Sequence, residues 1–452
     1  MILKLEKFLF YLFLILIPFQ IRIFLINAGP PAGGEWNSVF VYLGDVVLAT
    51  VLMLWILRGG LKEIFGGATS ENRRSHLPLL LLLIFLVIAL ISIFVSSGTK
   101  ISIFRWLKLV EFAALFVYIR ATLITCLPAR QANFTRMTRI LQILIFSGLV
   151  QSILAIAQFI KQGSIGIKFI EAGIYSPDSP GVANFILNGE RIMRSYGSFS
   201  HPNVLAGFLI LAIFAFYALW LKRPIRLIGP IGLIGLIFGL FLTFSRTAIL
   251  VFLIGSLAMF LIEMFKTRRQ YANVTRMTRM KIIRLFGLFL ISCMISAAIL
   301  FPYLKARFFT ISLEEQALDL RFFYNKIALS MIKDKPILGI GIGNFVNFSK
   351  NYETYLRAAT KFVESGAKEI PQWVYQPVHN LYLLIGSEIG ILGLIAFLGF
   401  IGIGLIGPIR RIGPIGFALI GFLILAFADH YFWTLQSGGL MFWLALGLAK
   451  NE

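Results

Sequence analysis

Long apolar runs recur along the whole chain, most of them about one bilayer wide, and each is closed by a short polar or basic linker. A membrane-crossing helix needs roughly 20 mainly apolar residues. Runs of that kind fall at 8–26, 39–57, 77–95, 101–119, 140–160, 203–221, 227–243, 247–265, 285–304, 379–406, 415–428 and 432–448. The pattern predicts an all-α polytopic membrane protein with about twelve transmembrane helices. The first run has Lys4 and Lys7 ahead of it, as a signal peptide would. It is long for such a segment and no A-x-A-like cleavage site follows, so it is read as a retained first span.

Basic residues alternate between the linkers. With the N-terminus in the cytoplasm, the inward linkers and the two termini hold 23 of the 42 lysines and arginines, whereas the short outward linkers hold only Lys100 and Arg246. Positive charge collects on the cytoplasmic side of membrane proteins, so span count and orientation support each other and both termini are expected in the cytoplasm. Two outward segments are long, Lys161–Pro202 and Lys305–Val378. Within the second, Ala317, Leu320, Tyr324, Ile327, Ala328 and Met331 form one helical stripe over residues 314–333. Phe345, Phe348, Tyr352, Leu356, Ala359 and Phe362 form another over 345–363. These spacings predict amphipathic helices that cap the bundle or lie on the membrane. Between them Pro336-Ile-Leu-Gly-Ile-Gly-Ile-Gly-Asn344 reads as a glycine-rich turn; it follows a helix rather than a strand, which argues against nucleotide binding. Residues 133–139 and 273–279 are near copies, as are 228–232 and 412–416. Copies this short do not make a structural repeat and are read as tolerated loop insertions that add cytoplasmic charge.

Composition agrees with the span pattern: 58% of residues are hydrophobic and 14% charged, against about 25% charged in soluble domains. The net charge of +22 would suggest nucleic acid on a soluble protein, but no basic stretch carries a binding module. The distribution fits cytoplasmic loops instead. Cys126 and Cys293 offer no disulfide framework or CxxC motif. The four histidines show no metal-ligand spacing, and no cofactor is expected.

Ionisable residues in spans are candidate functional groups. Arg22 lies in the first predicted span, and Arg105, Lys108 and Glu111 lie in the fourth, with Lys108 and Glu111 spaced to pair on one helix face. Pairing or snorkelling within the bundle would explain them equally well. A more pointed group falls on the outward side. Arg246 stands in the tight turn Thr243-Phe-Ser-Arg-Thr247, Arg321 sits on the apolar stripe of the first amphipathic helix, and His379 opens the tenth span. His201-Pro202-Asn203 opens the sixth, with proline at the first helical position. Singly, each has an ordinary reading as a headgroup anchor, a cap or an interfacial residue. Together, two guanidinium forks suited to phosphate and an imidazole able to take a proton from a hydroxyl describe a site for displacing a pyrophosphate leaving group. No acidic cluster for Mg²⁺ accompanies them on that side.

The run Arg194-Ser-Tyr-Gly-Ser-Phe-Ser-His-Pro-Asn203-Val-Leu-Ala-Gly207 resembles the segment before a core span in the O-antigen ligase and polymerase family. Ser245-Arg246-Thr247, Arg321 followed by Pro336–Phe345, and His379-Asn380-Leu-Tyr-Leu383 with Glu388-Ile-Gly390-Ile-Leu-Gly393 are similar to further motifs of that family, in the same order. The likeness runs from about 194 to 400, which suggests N-terminal helices over 1–193, a ligase-like core over 194–400 that includes the loop 305–378, and C-terminal helices over 401–452. The resemblance implies a GT-C-like, metal-independent membrane glycosyltransferase of the bacterial cytoplasmic membrane with an extracytoplasmic active site. Its donor would be a glycan on undecaprenyl pyrophosphate and its partner a lipid or glycan acceptor. Arg246 and Arg321 would bind the donor pyrophosphate, and His379 would orient or deprotonate the acceptor hydroxyl. His201, Asn203, Asn380 and Glu388 match as possible site-lining residues. On a straight helix Glu388 would face away from His379. Ligation, polymerisation and protein O-glycosylation remain alternatives within the class. A secondary transporter is the alternative outside it, and would call for inverted repeats and broken helices.

Overall fold

The computed structural model describes the chain except for residues 28–35, 37, 66–72, 125–129, 180, 223–227, 268–271, 310–314, 353–374, 406–411 and 450–452. Among the described residues six helices are long and apolar enough to cross a membrane, and three shorter apolar helices accompany them. The protein is a largely helical, polytopic membrane protein.

Helix α1 (Ile2–Leu16) ends well before the predicted limit of the first span. Pro18 follows it directly and cannot continue an α-helix. The Ile- and Phe-rich residues beyond it form strand β1 (Arg22–Asn27), antiparallel to β2 (Ser38–Tyr42). Hydropathy alone registers β1 as membrane helix because a short apolar run looks the same in both states. Helix α2 (Leu43–Leu57) starts where Asp45 Oδ2 accepts the Tyr42 N–H at 2.9 Å. The chain continues through α3 (Leu61–Phe65), α4 (Arg73–Ile91), α5 (Thr99–Ile124) and α6 (Arg130–Lys161). A second hairpin follows, β3 (Asn184–Leu187) and β4 (Glu190–Met193). Its turn residues Asn188 and Gly189 both have positive φ (52° and 87°), as a two-residue type I′ turn requires. These hairpins qualify the all-α expectation.

Helix α7 (Pro202–Lys222) is the centre of the bundle. Its apolar window is 89% buried, against 28% for the outer helix α10 (Ala272–Ile299). Helices α8 (Ile228–Leu242) and α9 (Arg246–Thr267) pack beside it. Leu250, Ile254, Leu257 and Leu261 of α9 stay exposed on one face, which only a lipid environment makes inexpensive. After α11 (Phe301–Phe309), helix α12 (Glu315–Asp334) fulfils the first amphipathic prediction. Its Tyr324, Ile327, Ala328 and Met331 form a small separate core with Ile340, Phe345, Val378 and Leu384. The second predicted helix is described only over its start, as α13 (Phe345–Phe348) and one 3-10 turn to Tyr352; Leu356, Ala359 and Phe362 lie outside the described residues.

Helix α14 (Leu381–Leu405) is not continuous. Gly390 breaks it with φ 75° and ψ 178°, and the glycine-rich turn fits into the break. Ile340 and Gly341 donate to the carbonyls of Ser387 and Glu388 at 3.0 and 2.8 Å, and Ile391 donates to Pro336 O at 2.8 Å. A β-carbon on Gly390 would lie 2.0 Å from the Ile337 carbonyl, so both backbone angle and space demand glycine. The turn is thus a structural wedge between broken halves of a helix. Helix α15 (Pro414–Leu425), the single turn α16 (Tyr431–Thr434) and α17 (Gln436–Ala449) complete the chain.

The longer pair of near copies are not loop insertions. Residues 133–139 lie in the first part of α6 and 273–279 in that of α10. Arg136, from the first copy, is buried and donates to the Tyr118 hydroxyl at 2.7 Å. Tyr118 in turn donates to the fully buried Glu6 at 2.8 Å, and Arg58 pairs with both Glu6 and Glu63. Opposite charges in such a setting need one another, so this network clasps α1, α2, α3, α5 and α6 at one end of the bundle.

Candidate functional site

At the other end of the bundle, several helix termini meet. Ser195 N donates to Leu242 O at 3.2 Å, tying the segment before α7 to the end of α8. Leu381 N donates to Ala426 O at 2.8 Å, tying the start of α14 to the end of α15. The segment from Arg194 to His201 is laid down on α6. Gln158 Oε1 accepts the N–H groups of Tyr196 and Gly197 at 3.0 and 2.8 Å, and Gln151 Oε1 accepts that of Ser198 at 2.8 Å. Two buried amides within an apolar helix are there to satisfy this irregular backbone.

The turn between α8 and α9 is sharp. Phe244 adopts φ 46°, a region that non-glycine residues seldom occupy and that clusters at functional sites. The turn presents two carbonyls to arginines: Arg194 Nε donates to Thr243 O at 2.8 Å and Arg307 Nε to Phe244 O at 3.2 Å. Arg246 is the first residue of α9, and Arg321 comes from α12. Arg246 and Arg321 both act electrostatically on Arg194 and Arg307. Four guanidinium groups therefore share one end of the bundle. Burial, reinforced by these like charges, brings Arg307 down to about 9, and burial chiefly brings Arg194 down to about 10. Guanidinium groups stay charged in proteins, so these shifts measure the electrostatic stress of crowded cations. A polyanion would relieve it.

Beside the arginines stand three imidazoles and a carboxylate. The His379 and His430 rings are 5.0 Å apart, centroid to centroid, at 73°. Tyr324, one turn beyond Arg321 on α12, lies nearly parallel to the His379 ring at 6.1 Å. His379 precedes the cap of α14: Asn380 Oδ1 accepts the N–H groups of Tyr382 and Leu383, both at 3.0 Å. Asn380 thus starts the helix and aims its neighbour. Among the described residues His379 Nδ1 is buried without a hydrogen-bond partner, although the Pro377 carbonyl lies close enough to favour a proton on the ring. Some solvent access to His379 remains, yet desolvation by the surrounding protein dominates and lowers its pKa, with the Arg321 charge adding to the effect.

His201 and His430 are each brought down to about 3. Burial is the larger cause in both, followed by Arg194 for His201 and by His379 for His430. At neutral pH all three rings are uncharged. His201 Nδ1 accepts the Asn203 N–H at 3.1 Å, which assigns its proton to Nε2. That ring can donate from Nε2 but has no free lone pair there. His430 Nδ1 is 2.7 Å from the Thr434 hydroxyl. Asn203 bridges the two halves of the site. Its carbonyl accepts from Arg194 at 2.7 Å and its amide donates to Asp429 Oδ2 at 2.8 Å. Burial alone would raise Asp429, but the three imidazoles and Asn203 outweigh it and leave the carboxyl at about 2, ionised.

The structure brings Arg246, Arg321, His379, His201 and Asn203 to this one place. Glu388 lies apart: it accepts from Trp433 Nε1 at 2.9 Å and from Phe345 N at 3.3 Å. Among the described residues no hydrogen bond joins it to His379, and it secures the glycine-rich turn and α16 instead. Asp429, His430 and Arg307 are members that sequence reasoning missed, and Arg194 was read only as part of a motif. The available signal for the first two was an acid and an imidazole side by side in a three-residue linker between apolar runs. Among the described residues no group of three or more His, Cys, Asp or Glu side chains is placed to hold a metal ion.

Residues 231–398 match the O-antigen ligase family. None of the curated proteins matches the chain. The matched region contains Arg246, Arg307, Arg321 and His379, while Arg194, His201, Asn203, Asp429 and His430 fall on either side of it. Through that region, and with multiple apolar helices around it, the chain is similar to the O-antigen ligase family.

Proposed function

We propose that the protein transfers a glycan from an undecaprenyl-pyrophosphate-linked donor to an acceptor hydroxyl at the outer face of the cytoplasmic membrane. The observation that carries this reading is the convergence of four arginines with a neutral imidazole. Arg246 and Arg321 are assigned to the donor pyrophosphate, with Arg194 and Arg307 behind them. The acceptor oxygen attacks the anomeric carbon and its proton passes to His379. The bond from that carbon to the pyrophosphate oxygen breaks, and the leaving group departs with its electron pair into the field of the guanidinium groups. Preorganised charge of this kind is the largest contributor in many enzymes, and a positioned base adds to it. Asp429 is assigned to holding Asn203 and, through its charge, to stabilising the imidazolium formed during transfer.

Orientation follows from the positive charge of the linkers at the opposite end. Charge neutralisation is assigned to arginine rather than to a divalent ion. Purified protein in liposomes, supplied with undecaprenyl-pyrophosphate glycan and candidate acceptors, is expected to form the glycosylated product at the same rate with and without EDTA. Loss of product in EDTA that Mg²⁺ or Mn²⁺ restores would overturn the metal-free assignment.

The pH profile provides a second check. The His379 pKa is lowered, so the ring keeps its lone pair as pH falls until that lowered value is reached. Activity limited by this base therefore survives below the ordinary imidazole pKa of ~6.5 and declines only at more acid pH. An acid limb of kcat/KM centred above ~6.5 contradicts His379 as the base.

A further inference from the structure

Between β2, α5 and α16 lies an open-mouthed crevice. Its walls are aromatic: Phe40 and Tyr42 of β2, Phe104 and Phe112 of α5, and Trp433 of α16. Its polar side carries Arg105, Lys108 and Gln436. Lys108 pairs with Asp45 and, at 3.1 Å, with Glu111; Gln436 Nε2 donates to Asp45 at 2.5 Å and to Glu111 at 3.3 Å. Asp45 and Glu111 thus hold Lys108 and Gln436 in place without themselves lining the crevice. Among the described residues Lys108 uses two of its three N–H donors on these carboxylates. The Lys108 ammonium and the Gln436 amide present donors and an acceptor beside flat apolar faces.

Thr434 joins this crevice to the proposed chemistry. It lines the crevice, its hydroxyl is 2.7 Å from His430 Nδ1, and its carbonyl accepts from Arg105 at 2.7 Å. Arg105 acts electrostatically on His430, and Arg194 and Arg321 act on His201. His430 therefore adjoins this aromatic, hydrogen-bonding crevice through Thr434.

We infer that this crevice binds a sugar ring of the acceptor, with an aromatic face against its C–H surface and Lys108 and Gln436 on its hydroxyls. The assignment to the acceptor rests on the transferase reading given above. Two vicinal hydroxyls match neighbouring donors and acceptors, and a ring lacking them would leave buried polar groups unpaired, which is a strong basis for discrimination.

Saturation-transfer NMR on the purified full-length protein, with a panel of methyl glycosides of common hexoses and N-acetylhexosamines, tests the inference. Phe104→Ala removes one wall, and Phe104→Tyr keeps the ring and controls for folding. At least one glycoside is expected to bind the wild type and Phe104→Tyr and to bind Phe104→Ala at least about tenfold more weakly, a difference of ~1.4 kcal/mol. Inorganic pyrophosphate should not displace it. Absence of binding by every glycoside, equal binding by Phe104→Ala, or displacement by pyrophosphate overturns the crevice assignment. Displacement by the intact lipid-linked donor, without acceptor, would place a donor sugar there and overturn the acceptor assignment. Turnover of the lipid-linked donor in the same preparation tests the transferase reading separately. Glycoside binding without turnover would sink that reading alone, and turnover without glycoside binding would sink the crevice alone.

Discussion

Replacing His379 by alanine is expected to lower the rate of glycan transfer by about 10²–10⁴-fold, the usual worth of a positioned general base. Donor binding should change little, because the ring faces the acceptor hydroxyl and not the pyrophosphate. The signature is therefore a fall in kcat with the KM for lipid-linked donor nearly constant, measured in liposomes with a defined acceptor. Neither other histidine should substitute. His201 commits Nδ1 to the Asn203 N–H at 3.1 Å, and His430 is 4% exposed with Nδ1 beside Thr434. His379→Gln keeps much of the shape without a basic nitrogen and should be as inactive as the alanine variant. A His379→Gln protein that retains wild-type kcat would exclude proton transfer to this side chain.

The second large effect concerns the arginines. Arg246→Ala and Arg321→Ala are each expected to lower kcat/KM by about 10²–10³-fold, the range seen when one preorganised donor to a developing anion is removed. Lysine at either position keeps the charge but loses the planar fork, so partial activity is expected. The double variant should lose less than the product of the two single losses, because both groups serve one leaving group. The free protein should not suffer, since removing a cation from a crowd of four relieves like-charge repulsion. Thermal stability unchanged or raised in Arg321→Ala, together with lost activity, separates this role from a structural one. Lowered stability with activity falling only in proportion would contradict it.

These expectations were partly legible in the sequence. Arg246 drew notice because an arginine in an almost loopless turn between two apolar runs is costly to place, and Arg321 because it interrupts an apolar stripe. Position along the chain sufficed for both. Asp429 and His430 needed tertiary information, since two polar residues at a helix junction are ordinary until Asn203 and His379 are seen beside them. Arg307 looked like one more basic residue in a long loop, and only its bond to Phe244 O reveals its place. The first span was misread because apolar content cannot separate the strand Arg22–Asn27 from membrane helix. The hairpin at 184–193 did carry a local signal, the Asn188-Gly189 pair, which apolar surroundings concealed. In the case of Glu388, helical geometry correctly separated it from His379, but its hydrogen bonds to Phe345 and Trp433 came from a broken helix that a straight-helix argument does not foresee.

The claim on which the account depends is that the arginine cluster receives a lipid-linked pyrophosphate. Its most direct test is equilibrium binding of undecaprenyl pyrophosphate to the purified protein in EDTA, compared with undecaprenol and with the Arg246→Ala/Arg321→Ala variant. The wild type should bind the pyrophosphate lipid saturably and about 10- to 100-fold more tightly than the variant, as expected for lost charge-assisted hydrogen bonds of ~1.5–3 kcal/mol, with undecaprenol indifferent to the substitutions. Equal affinity of wild type and variant for undecaprenyl pyrophosphate would contradict the account.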